Sequence, residues 1–354
     1  MYTVKKVSEG DFESFLNLPS RIYRKSEIMQ KRSDEEALLK GTHTLSKYFS
    51  FTAFICYHND KVVARCAVTI YHGKDEAYLG FFDSENDLQA AKNIIEAAES
   101  FARENGIKKL TGPVDASFWI GYRMKSNHFD KKRYFGEPYG LYYYPQMWQD
   151  CGFKIAETYV SNIYKKLSPK DESDPRYERA KKYFARNGYS VVSPTKTDWD
   201  SCIGKIYSLL IDLYSDFPVF SYITESEFRE MFDSLKSILD FSMVKLGYKN
   251  GEMIGFLISV PDYGNRLYGK IGLLDVIHLL KNRKKCDNYI LLYLGVVEKS
   301  LGFGMVLSQS AFEELRIKRA SSIGALIKKG KVSEKYIDDI IIDQRDYLLF
   351  EKKI

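Results

Sequence analysis

At 354 residues and 41.0 kDa the chain is long for one domain and comfortable for two. A hydrophobic fraction of 45% with 27 Tyr and 22 Phe excludes a disordered chain, and a net charge of +6 is too diffuse for a typical nucleic-acid binder. Five scattered cysteines without a C-x-x-C pair exclude a disulfide scaffold and a zinc site, and no run approaches the roughly 18 apolar residues of a membrane span.

Taken in order, Tyr2 to Val7 reads as a short strand, followed by helical and loop segments. Phe51 to Tyr57 and Lys61 to Ile70 read as a hairpin around His58-Asn59-Asp60. Ala77 to Phe82 is a third strand. Ser84, with Asp87 three residues on, resembles a helix N-cap, and Leu88, Ala91, Ile95, Ala98 and Ala102 follow at helical spacing up to Gly106. Ile107 to Leu110 is a short strand ended by Gly112-Pro113. From Val114 to Gly140 the pattern breaks into aromatic, basic and glycine residues, a length typical of functional loops. Tyr142 to Cys151 reads as a helix and Glu157 to Tyr164 as a closing strand.

Lys165 to Asp174 is polar and reads as a linker, dividing the chain into units of 1–166 and 175–354. Helices are expected over Tyr177 to Asn187, Cys202 to Tyr214 and Glu225 to Leu239. A second hairpin, Phe241 to Tyr248 and Glu252 to Val260, turns at Asn250-Gly251. Its tyrosine lies about 190 residues after Tyr57 of the first hairpin, and the same order of elements follows both, which is a weak internal duplication. The fold class expected is α/β (α+β), with two units that each hold a mixed, mostly antiparallel sheet flanked by helices.

Tyr289 to Val297 is a buried-strand pattern. After the tight residues Glu298 to Leu301 and Gly302-Phe303-Gly304, a four-residue period begins at Phe303, Leu307, Ala311 and Leu315. A strand, a glycine turn and a helix start leave backbone N–H groups free at the positive end of a helix dipole, which suits phosphate. The spacing is not that of a Walker A loop, and a dinucleotide fingerprint lacks its third glycine because Leu307 stands there. A plain strand-to-helix connection reads equally well from the loop alone.

Lys299-x-x-Gly302-x-Gly304 resembles the Q/R-x-x-G-x-G/A loop of the GNAT superfamily of acyl-CoA N-acyltransferases, with Lys in the first place. Gly80-Phe81-Phe82, Gly112-Pro113, Gly121, Pro138-Tyr139, Tyr143-Tyr144, Gly152-Phe153, Gly255-Phe256, Pro261-Asp262 and Gly295-Val296 extend the resemblance to two such domains in tandem over nearly the whole chain. The resemblance implies acyl-CoA, acetyl-CoA first, as co-substrate in the second domain. Its pantetheine amides would meet Leu294, Gly295, Val296 and Val297, and its diphosphate would meet Lys299, Ser300, Leu301, Gly302, Phe303, Gly304 and Met305. Phe82-Asp83-Ser84-Glu85-Asn86 at the matching place of the first domain has no glycine pair and two acids, so that loop is not expected to bind CoA.

The resemblance further implies direct transfer of the acyl group to a small-molecule or peptide amine. Tyr336 would be the acid for the leaving thiolate. Trp119, Arg123, Tyr139, Tyr143 and Asp262 would border the acceptor. Lys328, Lys329 and Gly330 stand where relatives carry acidic and asparagine residues, so a non-catalytic CoA- or ligand-binding module stays open. So does a Fem-type aminoacyl transferase, for which the basic clusters Lys131-Lys132-Arg133 and Arg283-Lys284-Lys285 speak faintly. His43, His58, His72, His128 and His278 show no ligand spacing, so no metal is expected. Met1 to Gly10 lacks the apolar core of a signal peptide, and the expected location is cytoplasmic, with no membrane or nucleic-acid partner.

Overall fold

The computed structural model describes residues 1–138, 140–173, 175–268, 286–300 and 302–354. Tyr139, Leu301, His278 and Arg283-Lys284-Lys285 lie outside the described residues.

Strand β1 (Tyr2–Lys6) and helices α1 (Phe12–Ile22) and α2 (Arg32–Leu39) lead to a hairpin of β2 (Phe49–His58) and β3 (Lys61–Tyr71). Its turn residues Asn59 and Asp60 take φ of 48° and 64°, which short polar side chains tolerate and which match the strand twist. Strand β4 (Glu76–Ser84) and helix α3 (Leu88–Glu104) follow. The N-cap of α3 is Asp87, whose carboxylate accepts from the Gln89 and Ala90 amides at 3.0 and 3.1 Å. Ser84, expected at that cap, is instead the last residue of β4, and its amide and carbonyl are bonded by tyrosines 143 and 144. Strands β5 (Lys109–Gly112) and β6 (Met124–Lys125), helix α4 (Tyr144–Asp150) and strand β7 (Lys154–Tyr164) complete the first half.

The second half begins with α5 (Pro175–Arg186), β8 (Tyr189–Val192), α6 (Trp199–Tyr214) and α7 (Glu225–Phe232). The helix expected to reach Leu239 ends at Phe232 and passes into a 3-10 turn, Asp233–Ser237. The second hairpin, β9 (Val244–Lys249) and β10 (Glu252–Pro261), turns at Asn250 and Gly251 with φ of 49° and 86°. Then come β11 (Asn288–Val296), α8 (Phe303–Lys318), β12 (Ser321–Lys328) and β13 (Ile341–Lys353). The four-residue stripe of α8 is buried throughout. Between β12 and β13 the described backbone forms two 3-10 turns, Val332–Lys335 and Asp338–Ile340, where a helix was expected.

All strands join one 13-stranded sheet, ordered β1-β2-β3-β4-β5-β13-β7-β12-β11-β10-β9-β8, with β6 on β13. The closing strand of each half lies in the sheet of the other. Strand β13 pairs with β5 at Phe350↔Gly112, and β7 pairs with β12 at Ile323↔Ile163. The two pair with each other, antiparallel, from Ile341↔Tyr164 to Glu351↔Lys154. The halves of the chain are consecutive in sequence, yet each half-sheet borrows its sixth strand.

Helices α3 and α8 each head a separate apolar cluster. Helices α1, α2, α6 and α7 share a third, in which Phe15 and Leu38 belong to the same network as Trp199 and Phe228. That shared cluster surrounds the interior space described next.

Candidate functional site

In each half the fourth and fifth strands run parallel, and what happens where that pairing stops decides whether a cleft exists. In the second half β11 and β12 pair from Asn288↔Ser321 to Leu291↔Gly324. There β11 bulges against β10, between Ile258 and Ser259, and β12 bulges against β7, with Leu326 at φ 58°. The strands part. Beyond the parting, the carbonyl of Leu294 faces away from β10 and accepts from the Tyr214 hydroxyl at 3.3 Å. Gly295 is buried, with Phe256 and Leu213 so close that a Cβ would stand 2.8 Å from Leu213.

The cleft ends at the turn into α8. Gly302 is its N-cap, exposed, with φ 91° and no side-chain cap. The Val297 amide donates to Ile254, and the Ser300 amide closes a 3-10 turn onto Val297. Among the described residues, the amides of Gly302, Phe303 and Gly304 have no protein acceptor. Phe303 anchors the turn between Phe184 and Tyr189, and the Ser300 hydroxyl meets that of Tyr189 at 3.2 Å. Lys299 is exposed beside these amides, and the Met305 amide donates to the Gly302 carbonyl at 3.2 Å. These donors and one cation fit a diphosphate.

Gly304, Ser308 and Phe312, four residues apart, form the face of α8 toward the cleft. Tyr336 covers the first of them: a Cβ on Gly304 would lie 2.8 Å from its hydroxyl. Tyr336 is half-buried and burial raises its pKa, so the phenol keeps its proton at neutral pH.

The matching cleft of the first half is shut. Parallel pairing of β4 and β5 runs to Tyr78↔Thr111, and the Val114 amide then extends it by donating to Leu79. A Cβ on Gly80 would stand 1.9 Å from the Val114 carbonyl, so glycine permits this approach. The Phe81 amide is taken by Asp115 Oδ1 at 2.6 Å. With Asp87 capping α3, this half offers neither free strand amides nor an anion seat.

A cavity of about 470 Å³ joins the open cleft to the first half. On one side it is lined by Leu291 to Leu294, Ala325, Ser308, Phe312 and Tyr336. On the other it meets Trp119, Tyr122, Arg123, Asp115 and the buried cluster around Arg65. Arg65 bonds Glu35 at 2.6 Å and Asp83 at 2.7 Å, and Tyr23 donates to the second Asp83 oxygen at 2.7 Å. Burial would lower the Arg65 pKa, but the two carboxylates outweigh it and the guanidinium stays charged. Asp115 is pushed up to about 7, first by burial and then by Glu35 and Asp83, against the pull of the Phe81 amide.

Of the residues expected from sequence, Trp119 and Arg123 line this cavity. Trp119 is fixed by its indole donating to the Ser221 carbonyl at 2.7 Å. Arg123 lies between the rings of Tyr122 and Tyr159, 3.8 and 4.2 Å from their centroids. Tyr143 sits apart, its hydroxyl donating to the Ser84 carbonyl at 2.8 Å. Asp262 also sits apart: its oxygens accept from the Phe135 and Gly264 amides at 2.9 Å and from Asn288 at 3.0 Å, tying the 131–138 segment to the end of β10. Asp115, Arg65, Asp83, Tyr214 and Tyr293 border the cavity without having been singled out from sequence. A signal existed for Arg65 and Asp83, since each is a charge inside an otherwise apolar strand.

No protein-family model matches the chain. Over its full length it superposes on a tandem GNAT protein from the clavulanic acid biosynthesis pathway, with a TM-score of 0.55 at 10% identity, covering 98% of that chain. A GCN5-related N-acetyltransferase from Sphaerobacter thermophilus gives a TM-score of 0.51 at 10% identity, covering 99% of this chain and 95% of that one. In sequence, a bacterial ceramide synthase of Caulobacter vibrioides is 21% identical over 265 residues, 72% of this chain and 68% of the relative. The two superpositions give the fold: a tandem GNAT arrangement.

Proposed function

We propose that this tandem GNAT chain is an acyl-CoA-dependent N-acyltransferase whose second half holds the donor. The observation that carries the reading is the asymmetry of the two clefts. One is zipped and acid-capped, while the other parts, ends in amides with no acceptor among the described residues, and opens into a cavity.

In this reading the pantetheine arm runs along Leu294 to Val297, and the diphosphate lies at the turn into α8, over the exposed Lys299 and Gly302. Acyl-CoA supplies the activated thioester, and the amine acceptor approaches through the cavity. Tyr336, protonated and at the cleft wall, is placed to give the leaving thiolate its proton. Calorimetric titration of acetyl-CoA, followed by thiol release with a panel of amines, tests the reading. Binding with amine-dependent release is expected. Binding without release makes the chain a non-catalytic CoA module. No binding, with aminoacyl-tRNA retained instead, makes it an aminoacyl transferase.

The cavity favours a second reading of the acyl group. About 470 Å³ lined by aromatic and aliphatic residues is in the range that holds a drug-sized ligand, more than an acetyl group fills. The relative named a bacterial ceramide synthase supports a long-chain amide as product. Comparing acetyl-CoA with palmitoyl-CoA decides between them by kcat/KM.

A further inference from the structure

The turn from Pro113 to Arg123 brings two opposite charges to the cavity wall. Val114 and Tyr122 form its antiparallel bridge. The Asp115 amide donates to Gly121 at 2.7 Å and the Arg123 amide to Pro113 at 3.0 Å. Asp115 and Arg123 are thus held on the two arms of one turn, and both line the cavity.

Neither side chain has an ion-pair partner among the described residues. Among the described residues Arg123 has no carboxylate partner, and its guanidinium meets only the Tyr122 hydroxyl and two tyrosine rings. Its Nε is enclosed with no acceptor. The residue also holds φ 88°, a backbone state that side-chain-bearing residues seldom adopt. Arg123 is half-buried and lines the cavity, so its guanidinium is a cation that a ligand in the cavity can reach. Arg123 shares the cavity wall with Tyr214 and Tyr293 of the open-cleft side, and its charge pulls both phenols' pKa down against the rise caused by burial. Asp115 gives one oxygen to the Phe81 amide. The other lies toward Gly121, where a Cβ would stand 3.2 Å away, and has no donor.

We propose that Arg123 and Asp115 are catalytic residues lent by the first half: Arg123 stabilises the oxyanion formed from the thioester carbonyl, and Asp115 takes the proton released by the acceptor amine. The assignment rests on the acyl-transfer reading. The neutral amine's lone pair forms a bond to the carbonyl carbon, and the carbonyl π pair moves onto oxygen, facing Arg123. Collapse re-forms the carbonyl and breaks the C–S bond. The amine proton goes to Asp115, the thiolate takes one from Tyr336, and solvent carries the proton from Asp115 back to Tyr336.

Asp115 is faced by Glu35 from α2, Asp83 from β4 and Arg65 from β3, with Arg123 on its own turn and Lys31 and Asp34 elsewhere on the wall. The test uses the full chain with Arg123→Met, Arg123→Gln, Arg123→Lys and Asp115→Asn, measuring donor binding by calorimetry and amine-dependent thiol release against pH. Donor Kd should stay within about threefold in every variant, since neither side chain touches the amide cradle. Arg123→Met should lower kcat about 10²–10³-fold, with Arg123→Lys recovering part of the loss. Asp115→Asn should lower it about 10²–10⁴-fold and abolish the acidic limb of the kcat/KM profile. Turnover within about threefold of wild type, or an unchanged pH profile in Asp115→Asn, overturns the assignment. If Arg123→Met does not fold, Arg123→Gln decides by the same criterion. Failure of the wild type to bind the donor would sink the acyl-transfer reading itself, and this assignment with it.

Discussion

The Tyr336 hydroxyl lies against the first turn of α8, 2.8 Å from where a Cβ on Gly304 would stand. A methyl there meets the far end of a movable side chain, so the phenol is displaced while the helix stays. Gly304→Ala should therefore leave stability within about 0.5 kcal/mol and slow thiol release as much as removal of the hydroxyl does. Denaturant unfolding and single-turnover kinetics on Gly304→Ala and Tyr336→Phe would show it. A slow Tyr336→Phe beside a normal Gly304→Ala would contradict the contact.

Burial raises the Tyr336 phenol above its ordinary value near 10. Its proton is present through neutral pH, so an acid role predicts no loss of kcat on that account below pH 10. Tyr336→Phe should lower kcat about 10–100-fold at pH 7 while leaving donor Kd unchanged. A drop in affinity instead would make the residue a wall of the cleft.

Arg65 is 2% exposed and bonded to two carboxylates that are themselves buried. Arg65→Met leaves Glu35 and Asp83 without their cation and should cost about 3–5 kcal/mol in urea unfolding. Adding Glu35→Gln and Asp83→Asn should recover much of that loss. No recovery would mean that shape, not charge, sets the cost.

The Asp115 carboxyl is pushed up to about 7 in the folded chain and titrates at about 3.9 when unfolded. The folded state therefore holds the extra proton, and stability is lost as pH rises from about 4 to about 7, then levels. Asp115→Asn, which can still accept from the Phe81 amide, should flatten this dependence. Thermal unfolding at pH 5 and pH 8 would reveal it as a smaller difference in Tm than in wild type.

Strand β13 carries Arg345 and Tyr347, which satisfy the fully buried Glu137 at 3.0 and 2.8 Å, and it pairs with β5 of the first half. Ending the chain at Ile340 should unfold the first half as well as the second. Limited proteolysis of the truncated chain should find cleavage sites between residues 1 and 166. Protection of that region would mean that the exchanged strands are not required.

The two hairpins were legible because Asn59-Asp60 and Asn250-Gly251 write the turn into local sequence, and α8 was legible from its four-residue stripe. The exchange of β7 and β13 was not, since a strand's alternation names its faces but not its neighbour. Ser84 read as a cap because spacing cannot show that β4 runs on to use it. The repeated order of elements implied a helix between β12 and β13, and the glycine and charges from Lys328 to Lys331 favour turns instead. At the candidate site, the glycine turn before α8 was readable, as was the aromatic, basic segment holding Trp119 and Arg123, which line the cavity. Asp115 was not, because its meaning comes from which amide it reaches across the sheet.

The exchanged strands also bear on how the chain is made. During synthesis the amino-terminal half of a multidomain protein usually folds while the rest is still being added. Here the first 166 residues wait for a 13-residue strand that is made after every other described element. Until then β5 has an uncovered edge, and Glu137 lacks both its arginine and its tyrosine. The newborn chain thus has to keep its first half in waiting, and that half becomes native only once this late strand has been added.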